Sequence, residues 1–394
     1  MNYVKRDITA KLVDYAKIFP VVYLTGPRQS GKSTLLKHVF PDYRYVNLEE
    51  KDIREYATED PRGFLNGLGL SAVIDEAQYA PDLFSYIQSV VDERDEPGMF
   101  VLSGSQNFLM MKSISQSLAG RVGVLSLLPF SDTELAEAGK LHANTNEWLY
   151  SGHYPRQASW DINPADFYPN YIKTYVERDV RSEAGVQKID KFNAFMHICA
   201  MNVGSPINLS AIGDAIGTDA RTISSWLNIL EESYIAFRLR PYLKNRAKRY
   251  SKTPKLYFFD TGLLCSLLGI SAAADLQLMK NRGQIFENAI IVEHYKRTYN
   301  QGGFPGDNSF FWRDSSASEK EVDLIVEHAS HVELYEIKAS QTAKAKYADN
   351  LNFFERNAGG VKCAKTVIYD GPYNTALNGA EFINRRSFGG AAPE

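Results

Sequence analysis

A glycine-rich segment near the amino terminus has the residue types and spacing that bind phosphate groups. Residues 26–33 read Gly-Pro-Arg-Gln-Ser-Gly-Lys-Ser and lie between an apolar run at 21–24 and a helical pattern that begins at Lys32. The backbone N–H groups of such a loop converge on one anion with the amino end of the following helix. The segment is therefore predicted to be a P-loop. Its nucleotide-binding residues are Gly26, Pro27, Arg28, Gln29, Ser30, Gly31, Lys32, Ser33 and Thr34.

The chemical roles in this loop have clear candidates. Lys32 is expected to reach the β- and γ-phosphates, and the hydroxyl of Ser33 is expected to coordinate Mg²⁺. Glycine at 26 and at 31 lets the backbone approach the phosphates without a Cβ clash. A glycine-rich turn that binds nothing is the alternative.

Two carboxylates end a short apolar run at 71–76, namely Asp75 and Glu76. Ligands bind at the carboxyl ends of strands in an open α/β sheet, so both side chains are expected beside the phosphates. Asp75 is the predicted Mg²⁺ partner. Glu76 is predicted to take a proton from the attacking water or to orient it. The alternative is a strand that leads into an acidic helix N-cap.

Two later segments are further candidates for the same chemistry. A predicted strand at 99–102 is followed by polar residues, of which Ser105, Gln106 or Asn107 would contact the γ-phosphate or the water, unless the segment is a plain turn. Arg121 precedes an apolar strand at 122–128, where ring-forming ATPases often present an arginine finger to the neighbouring subunit. A solvated or salt-bridged surface arginine is the equal alternative.

The elements that must position these residues alternate between strand and helix, which predicts a parallel sheet with helices on both faces. Helical patterns at 131–139, 146–160 and 163–182 predict a lid over the nucleotide. Three arginines of this region are candidates for a second phosphate contact, with ordinary salt bridges as the alternative. They are Arg156, Arg178 and Arg181.

Composition limits the class of protein. The 394 residues exceed what one core usually organises, so two or three domains are expected. The formal net charge of -3 indicates that any nucleic-acid site must be a local patch. Three scattered cysteines argue against a disulfide framework or a thiolate metal site. A cytoplasmic protein is expected, because the sequence has no signal-peptide core and no run of 18 apolar residues.

A basic segment lies between two predicted strands in the middle of the chain. Helical patterns at 208–216 and 220–231 with a tight turn, followed by β-prone runs at 235–239 and 255–259, predict a winged helix. The stretch between the strands carries no acidic residue and suits a DNA phosphate backbone. The alternative is a protein-contact module with a solvated basic loop. The predicted DNA contacts are Arg240, Lys244, Arg246, Lys248 and Arg249.

Six segments of the sequence resemble a prokaryotic AAA+ family of ATPases joined to a C-terminal domain of unknown function. The resemblance implies an ATP-binding AAA+ core and covers nearly the whole chain, but it supplies no substrate. The segments are 26–33, 73–78, 102–105, 118–121, 152–156 and 175–179.

The C-terminal part is similar to the PD-(D/E)xK nuclease superfamily in the order of its elements and in four side chains. That resemblance implies that Asp323 and Glu336 hold Mg²⁺ or Mn²⁺, that Glu287 assists from a helix, and that Lys338 orients the water or stabilises charge. Glu336 and Lys338 are two apart and share a strand face. Val322 replaces the motif's proline. An inactive nuclease-like scaffold and a chance pattern are the alternatives.

These interpretations combine into an α/β protein in four parts, which are an AAA+ P-loop ATPase core at 1–130, a helical lid at 131–204, a winged helix at 205–262 and a PD-(D/E)xK nuclease-like α/β domain at 263–394. We expect an ATP- and Mg²⁺-dependent ATPase that binds DNA, forms a homo-oligomer such as a hexameric ring, and carries a nuclease-like domain. The alternative is an ATP-driven remodeller or switch that acts on a protein partner and has an inactive nuclease-like scaffold.

Overall fold

The computed structural model describes residues 3–105, 117–176, 189–243, 245–249, 252–314 and 320–390. The chain forms two compact units. The amino-terminal unit consists of 1–130, 232–234 and 297–303, and the carboxy-terminal unit consists of 131–231, 235–296 and 304–394. Among the described residues, no helix combines the length and the apolar character needed to cross a bilayer.

The amino-terminal unit is built on a five-stranded parallel sheet with the order β2-β3-β4-β1-β5. β4 lies between β1 and β3. The P-loop and the polar ends of β3 and β4 therefore meet at one edge of the sheet. The strands are β1 (Val21–Thr25), β2 (Arg44–Asn47), β3 (Ala72–Asp75), β4 (Phe100–Gly104) and β5 (Val122–Ser126).

Both faces of this sheet are covered, which explains the uninterrupted apolar runs of its strands. Successive residues of β1 point into two separate clusters, Tyr23 into one and Leu24 into the other. Two helices follow β2, and Pro61 begins the second of them, where the Asp60 side chain accepts from the N–H of Gly63. The helices are α1 (Thr9–Ala16), α2 (Lys32–Val39), α3 (Lys51–Glu59), α4 (Pro61–Leu68) and α5 (Leu83–Arg94).

Twelve further described helices follow along the chain. The predicted pattern at 146–160 is broken into two of them at Gly152, which has a φ of 61°. The helices are α6 (Asp132–Glu137), α7 (Thr145–Ser151), α8 (Pro155–Trp160), α9 (Pro164–Tyr171), α10 (Ile189–Met201), α11 (Leu209–Ile216), α12 (Ala220–Glu232), α13 (Arg246–Arg249), α14 (Thr261–Leu267), α15 (Arg282–Asn300), α16 (Asp349–Asn357) and α17 (Arg385–Phe388).

The carboxy-terminal unit contains a mixed sheet of eight strands with the order β12-β13-β11-β10-β9-β8-β6-β7. β8, β9 and β10 are antiparallel neighbours, and β10, β11 and β13 are parallel. The strands are β6 (Ala236–Pro241), β7 (Lys255–Phe258), β8 (Ser309–Arg313), β9 (Glu321–Glu327), β10 (Val332–Lys338), β11 (Cys363–Tyr369), β12 (Thr375–Leu377) and β13 (Ala380–Asn384).

The hairpin formed by β6 and β7 is present, but it is not a free wing. β6 pairs in parallel with β8, through Arg240 opposite Phe310 and Pro241 opposite Phe311. The hairpin is therefore continuous with the C-terminal sheet, and the boundary predicted at 262 does not separate two sheets. β12 and β13 extend the other edge and were not predicted from the sequence.

Candidate nucleotide site and carboxylate cluster

The P-loop joins the carboxyl end of β1 to the first turn of α2. Gly26 has a φ of 148°, and a Cβ there would lie 2.1 Å from the carbonyl oxygen of Leu127. Gly31 is the N-cap of α2 in the left-handed region. Lys32 is buried and its Nζ donates to the carbonyl oxygens of Gly26 and Pro27, both at 2.9 Å. The loop thus holds the lysine against its own backbone, where only glycine fits at position 26.

Arg6 supports this loop and was not identified from the sequence. Its guanidinium is buried and donates to the carbonyl oxygens of Ser30 at 2.8 Å and Leu128 at 2.6 Å. It also lies over the Phe130 ring, with 4.8 Å to the centroid. The P-loop is therefore tied to the segment that follows β5.

Asp75 is buried at the carboxyl end of β3 and is held by polar groups from neighbouring strands. Its Oδ2 accepts from the Tyr45 hydroxyl at 2.5 Å, and its Oδ1 accepts from the Glu76 N–H at 3.1 Å and from the Ser103 hydroxyl. The pKa of Tyr45 is raised by burial and by Asp75, and Ser33 acts on it in the opposite direction. Tyr45 therefore interacts with both side chains predicted to hold Mg²⁺.

Glu76 follows Asp75 in the left-handed region, with a φ of 54°. Its Oε2 accepts from Gln78 Nε2 at 2.5 Å and from the Ser105 hydroxyl at 3.1 Å. Of the polar residues predicted after β4, Ser105 therefore contacts the predicted catalytic carboxylate. Gln106 and Asn107 lie outside the described residues.

Arg121 lies at the amino end of β5, on the opposite edge of the sheet from the P-loop. Its carbonyl oxygen accepts from the Val21 N–H at 3.2 Å. The length of β1 puts about 16 Å between these edges, at roughly 3.3 Å per residue. Its guanidinium pairs with Asp92, Nη2 to Oδ2 at 3.0 Å. Arg121 cannot reach its own P-loop, and a finger role in a neighbouring subunit stays a prediction that requires this pair to open.

The predicted second arginine contact stays open. Arg156 is exposed on α8. Arg178 and Arg181 lie outside the described residues.

The prediction that Arg249 contacts DNA is wrong for this structure, because the residue is only 4% exposed. Its Nη1 and Nη2 donate to Glu327 Oε2 at 2.8 Å and Oε1 at 3.1 Å, and its Nε donates to the Leu243 carbonyl at 2.7 Å. The guanidinium also lies over the Tyr242 and Phe310 rings. Arg249 is a structural residue that fastens the basic segment to the C-terminal sheet.

The other predicted DNA contacts differ in exposure. Arg246 has a 78% exposed side chain, with Nη2 3.5 Å from Glu327 Oε2. Arg240 is half-buried on β6. Lys244 and the side chain of Lys248 lie outside the described residues. The acid-free stretch is thus partly neutralised by a glutamate that lies far away in sequence.

The structure brings together the side chains predicted for a nuclease-like site. Lys338 Nζ lies 2.6 Å from Glu336 Oε1 and 3.7 Å from Asp323 Oδ2. Glu336 and Lys338 share one face of β10, and Asp323 comes from the antiparallel neighbour β9. Asp323 Oδ2 also accepts from the Ile337 N–H at 2.8 Å. Glu287 of α15 interacts electrostatically with Asp323 and Glu336.

Two residues of β7 complete this carboxylate cluster and were missed by the sequence reasoning. Lys255 is 1% exposed and its Nζ lies 3.3 Å from Glu287 Oε1. It also forms an ion pair with Glu321. Tyr257, on the same strand face, donates from its hydroxyl to Glu287 Oε1 at 2.5 Å. The two-residue spacing of Lys255 and Tyr257 indicates that they share a strand face, but it does not identify Glu287 as their partner.

Burial makes the carboxyl groups of Glu287 and Glu336 weaker acids than in water. Desolvation, opposed by Lys255, raises the pKa of Glu287 to about 7. Desolvation and Asp323 raise the pKa of Glu336 to about 8, and its Oε2 is buried without a hydrogen-bond partner. A divalent cation with oxygen ligands would displace the protons. The oxygens of Glu287, Asp323 and Glu336 do not all lie within 4.8 Å of one another, so such an ion requires side-chain movement.

Comparison with known proteins identifies three matched segments. Residues 19–136 match a family described as an AAA domain, and 142–274 and 282–387 match two domains of unknown function, DUF8612 and DUF4143. These matches confirm the predicted AAA ATPase core and the C-terminal domain of unknown function. They leave the nuclease-like and winged-helix interpretations as predictions.

Two relatives, each described as an uncharacterized protein, match most of the chain. The uncharacterized protein Rv2008c of Mycobacterium tuberculosis is 30% identical over 344 residues, which are 86% of this chain and 74% of the relative. An uncharacterized protein of Haemophilus influenzae is 23% identical over 97% of this chain and 96% of its own. The Walker-type ATPase paby2304 of Pyrococcus abyssi has a TM-score of 0.46 at 16% identity, covering 67% of this chain and 96% of its own.

Proposed function

Because the chain belongs to the same family as the mycobacterial protein, a family of AAA-type ATPases with a C-terminal domain of unknown function, we propose that it hydrolyses ATP with Mg²⁺ and acts on DNA through a metal-dependent nuclease-like domain. The observation that carries the proposal is the convergence of Lys32, Asp75 and Glu76 at one edge of the amino-terminal sheet. ATP turnover by a homo-oligomer, such as a hexameric ring with Arg121 acting in trans, is part of this proposal.

The residues at the P-loop fit a magnesium nucleotide. Lys32 would exchange its two carbonyl partners for phosphate oxygens, and Ser33 and Asp75 offer hard oxygen ligands, of which Asp75 accepts from the Tyr45 hydroxyl. The ion would neutralise charge on the phosphates. Glu76, held by Gln78 and Ser105, would accept the proton of the attacking water.

The test separates nucleotide binding from hydrolysis. Lys32→Ala is expected to lose both, whereas Glu76→Gln is expected to bind a fluorescent ATP analogue and to lose turnover by about 10²- to 10⁴-fold. Lys51→Ala is the matched control, since this side chain is 79% exposed on α3 and pairs with Glu55. Unchanged turnover in Lys32→Ala would remove the ATPase proposal.

The nuclease-like proposal is supported by the carboxylate cluster. Asp323 and Glu336 would hold Mg²⁺ or Mn²⁺, Glu287 would assist, and Lys338, 2.6 Å from Glu336, would orient a water or stabilise negative charge on the phosphate. The buried Glu336 Oε2 offers an oxygen that still needs a partner. In the family to which these residues are similar, the same residue types carry the chemistry.

Two measurements test this site. Wild-type protein is expected to bind Mn²⁺ by calorimetry and to cut branched or single-stranded DNA with Mn²⁺, and Asp323→Asn is expected to lose both. Glu355→Gln is the matched control, because Glu355 is a carboxylate of the same unit paired with Lys365 instead. Cleavage by Asp323→Asn at the wild-type rate would refute the nuclease assignment.

DNA binding is proposed for the basic segment between β6 and β7, preceded by α11 and α12 in the order of a winged helix. Arg240, Lys244, Arg246 and Lys248 would contact phosphates, whereas Arg249 is excluded by its pairing with Glu327. Each lost phosphate contact lowers the slope of log K against log salt by about 0.7–0.9.

A second candidate function is an ATP-driven switch or remodeller that acts on a protein partner. It is favoured by the ion pairs of Arg238 with Glu231, Arg249 with Glu327 and Lys255 with Glu321, which neutralise part of the basic stretch. Salt titration of DNA affinity in Arg246→Gln discriminates the two functions. A slope equal to that of wild type favours the protein partner.

A further inference from the structure

We propose that His328, His331 and Glu333 form a binding site for a transition-metal ion of the Zn²⁺ class at the tip of the β9–β10 hairpin. His328 Nε2 lies 3.4 Å from Glu333 Oε1, and His331 Nε2 lies 3.9 Å from the same oxygen. One ligand atom from each residue lies within 4.8 Å of the others. Two imidazoles and a carboxylate are a common donor set for Zn²⁺.

The hairpin turn creates this arrangement. β9 ends at Glu327 and β10 begins at Val332, and the His328 N–H donates to the carbonyl oxygen of His331 at 2.9 Å. The turn therefore stacks the two imidazole rings on each other, with centroids 4.5 Å apart and an interplanar angle of 10°. Glu333 is the second residue of β10 and meets both Nε2 atoms.

The distances are close to those that a tetrahedral ion imposes. With Zn–N and Zn–O bonds of about 2.0–2.1 Å, neighbouring ligand atoms lie about 3.3 Å apart. The observed 3.4 and 3.9 Å separations are near this value, and binding requires the stacked imidazoles to rotate until both Nε2 lone pairs point at one ion. All three side chains are between 34% and 38% exposed, so an ion can enter and its fourth position stays open to water or to a partner group.

Neighbouring hydroxyl groups hold the ligands in the orientation that metal binding requires. The Tyr335 hydroxyl donates to Glu333 Oε2 at 2.8 Å and leaves Oε1 facing the imidazoles. Ser330 Oγ lies 3.2 Å from His331 Nδ1. When Nε2 binds a metal, Nδ1 carries the proton and donates it to such an oxygen. The site therefore has outer partners as well as ligands.

A second group of described residues has ligand spacing, Asp132, His153 and Glu293. It is a poor metal site, because Lys296 Nζ lies 2.6 Å from His153 Nδ1 and already supplies a buried positive charge there. The hairpin group has no lysine or arginine within ion-pair distance of Glu333 among the described residues. An ion at the hairpin tip would stabilise the two strands that carry Asp323 and Glu336.

Co²⁺ is the probe for this site, because tetrahedral coordination by nitrogen and oxygen gives visible absorption. Full-length protein is titrated with Co²⁺ in excess Mg²⁺, which fills the sites built from oxygen ligands. Wild type is expected to bind one tetrahedral Co²⁺ that Zn²⁺ displaces, and His331→Ala and Glu333→Gln are expected to lose it. Tyr335→Phe should weaken binding by about 10-fold. His38→Ala, which removes an exposed imidazole from α2, is the matched control.

Three results would overturn the proposal. The first is absence of the absorption in wild type, and the second is its retention in His331→Ala. The third is loss of the absorption in His153→Gln with retention in Glu333→Gln, which would assign the ion to the group of Asp132, His153 and Glu293. Thermal unfolding without metal checks that His331→Ala folds as wild type does, and Zn²⁺ should then raise the Tm of wild type alone.

Discussion

Replacement of Arg249 tests whether this residue stabilises the fold through its buried contacts or binds DNA. Arg249→Met removes a two-pronged pair with Glu327, a bond to the Leu243 carbonyl and contacts with two aromatic rings, while it keeps most of the side-chain volume. Arg246→Met is the matched control, because Arg246 approaches the same glutamate at 3.5 Å from a 78% exposed position.

The structure sets the expected magnitude. Breaking a buried ion pair costs roughly 3–5 kcal/mol. The lower end, about 3 kcal/mol, applies here because the Glu327 side chain keeps 17% exposure and Arg246 lies nearby. For a unit of this size that loss lowers the Tm by about 6–12 °C. Arg246→Met should cost at most about 0.5 kcal/mol, or about 2 °C, as is usual for an exposed pair.

Calorimetry over a range of pH is the assay. The hydrogen bond from Arg249 lowers the pKa of Glu327. The stabilisation is therefore present above the unfolded pKa of about 4.3 and is lost as pH falls through the lower folded value, so the Tm gap between wild type and Arg249→Met should close in acid. In DNA binding below the Tm, Arg249→Met should keep the wild-type salt slope. A Tm within about 2 °C of wild type, as in the control, would refute the reasoning.

Three further predictions concern buried charges and the proposed arginine finger. Burial raises the pKa of Glu293 to about 8, so the folded state binds a proton that the unfolded state releases from about pH 4.5 upward. Stability should fall as pH rises to about 8, and Glu293→Gln should remove that slope in thermal unfolding. Lys255→Met should destabilise by about 3–5 kcal/mol, and Mn²⁺ should raise the Tm of this variant more than that of wild type if the cluster holds an ion. If Arg121 is an arginine finger, Arg121→Ala should cut ATP turnover by about 10³-fold and Asp92→Asn should not. Full turnover in both variants would show that Arg121 and Asp92 form only a surface salt bridge.

The nucleotide site was predictable in its core because its signals are local. The P-loop lies within eight consecutive residues of a strand–loop–helix unit, and a parallel sheet brings Asp75 to the same edge. Tyr45 and Ser103 were not predicted as its partners. They come from other strands, and only the sheet order β2-β3-β4 places their hydroxyl groups against the carboxylate.

The basic segment shows the opposite case. Its stretch without acidic residues suggested an exposed phosphate-binding surface, but Glu327 is 78 residues from Arg249 along the chain. Lys255 of β7 likewise meets Glu287 of α15 and Glu321 of β9, which are both distant from it along the chain. A count of charges along the sequence could not detect these pairs, since each partner lies in a distant element.

The sequence by itself determined the periodic runs that become strands and helices, the glycine positions of the P-loop, and the residue types of the two acidic sites. Those features depend on backbone geometry within a few residues. Only the tertiary structure decided which charged side chains are buried together, which face solvent, and that the β6–β7 hairpin joins the C-terminal sheet. The reason is physical, because Coulomb energies depend on distance and burial in space, and these are set by strand order and register between segments far apart in the chain.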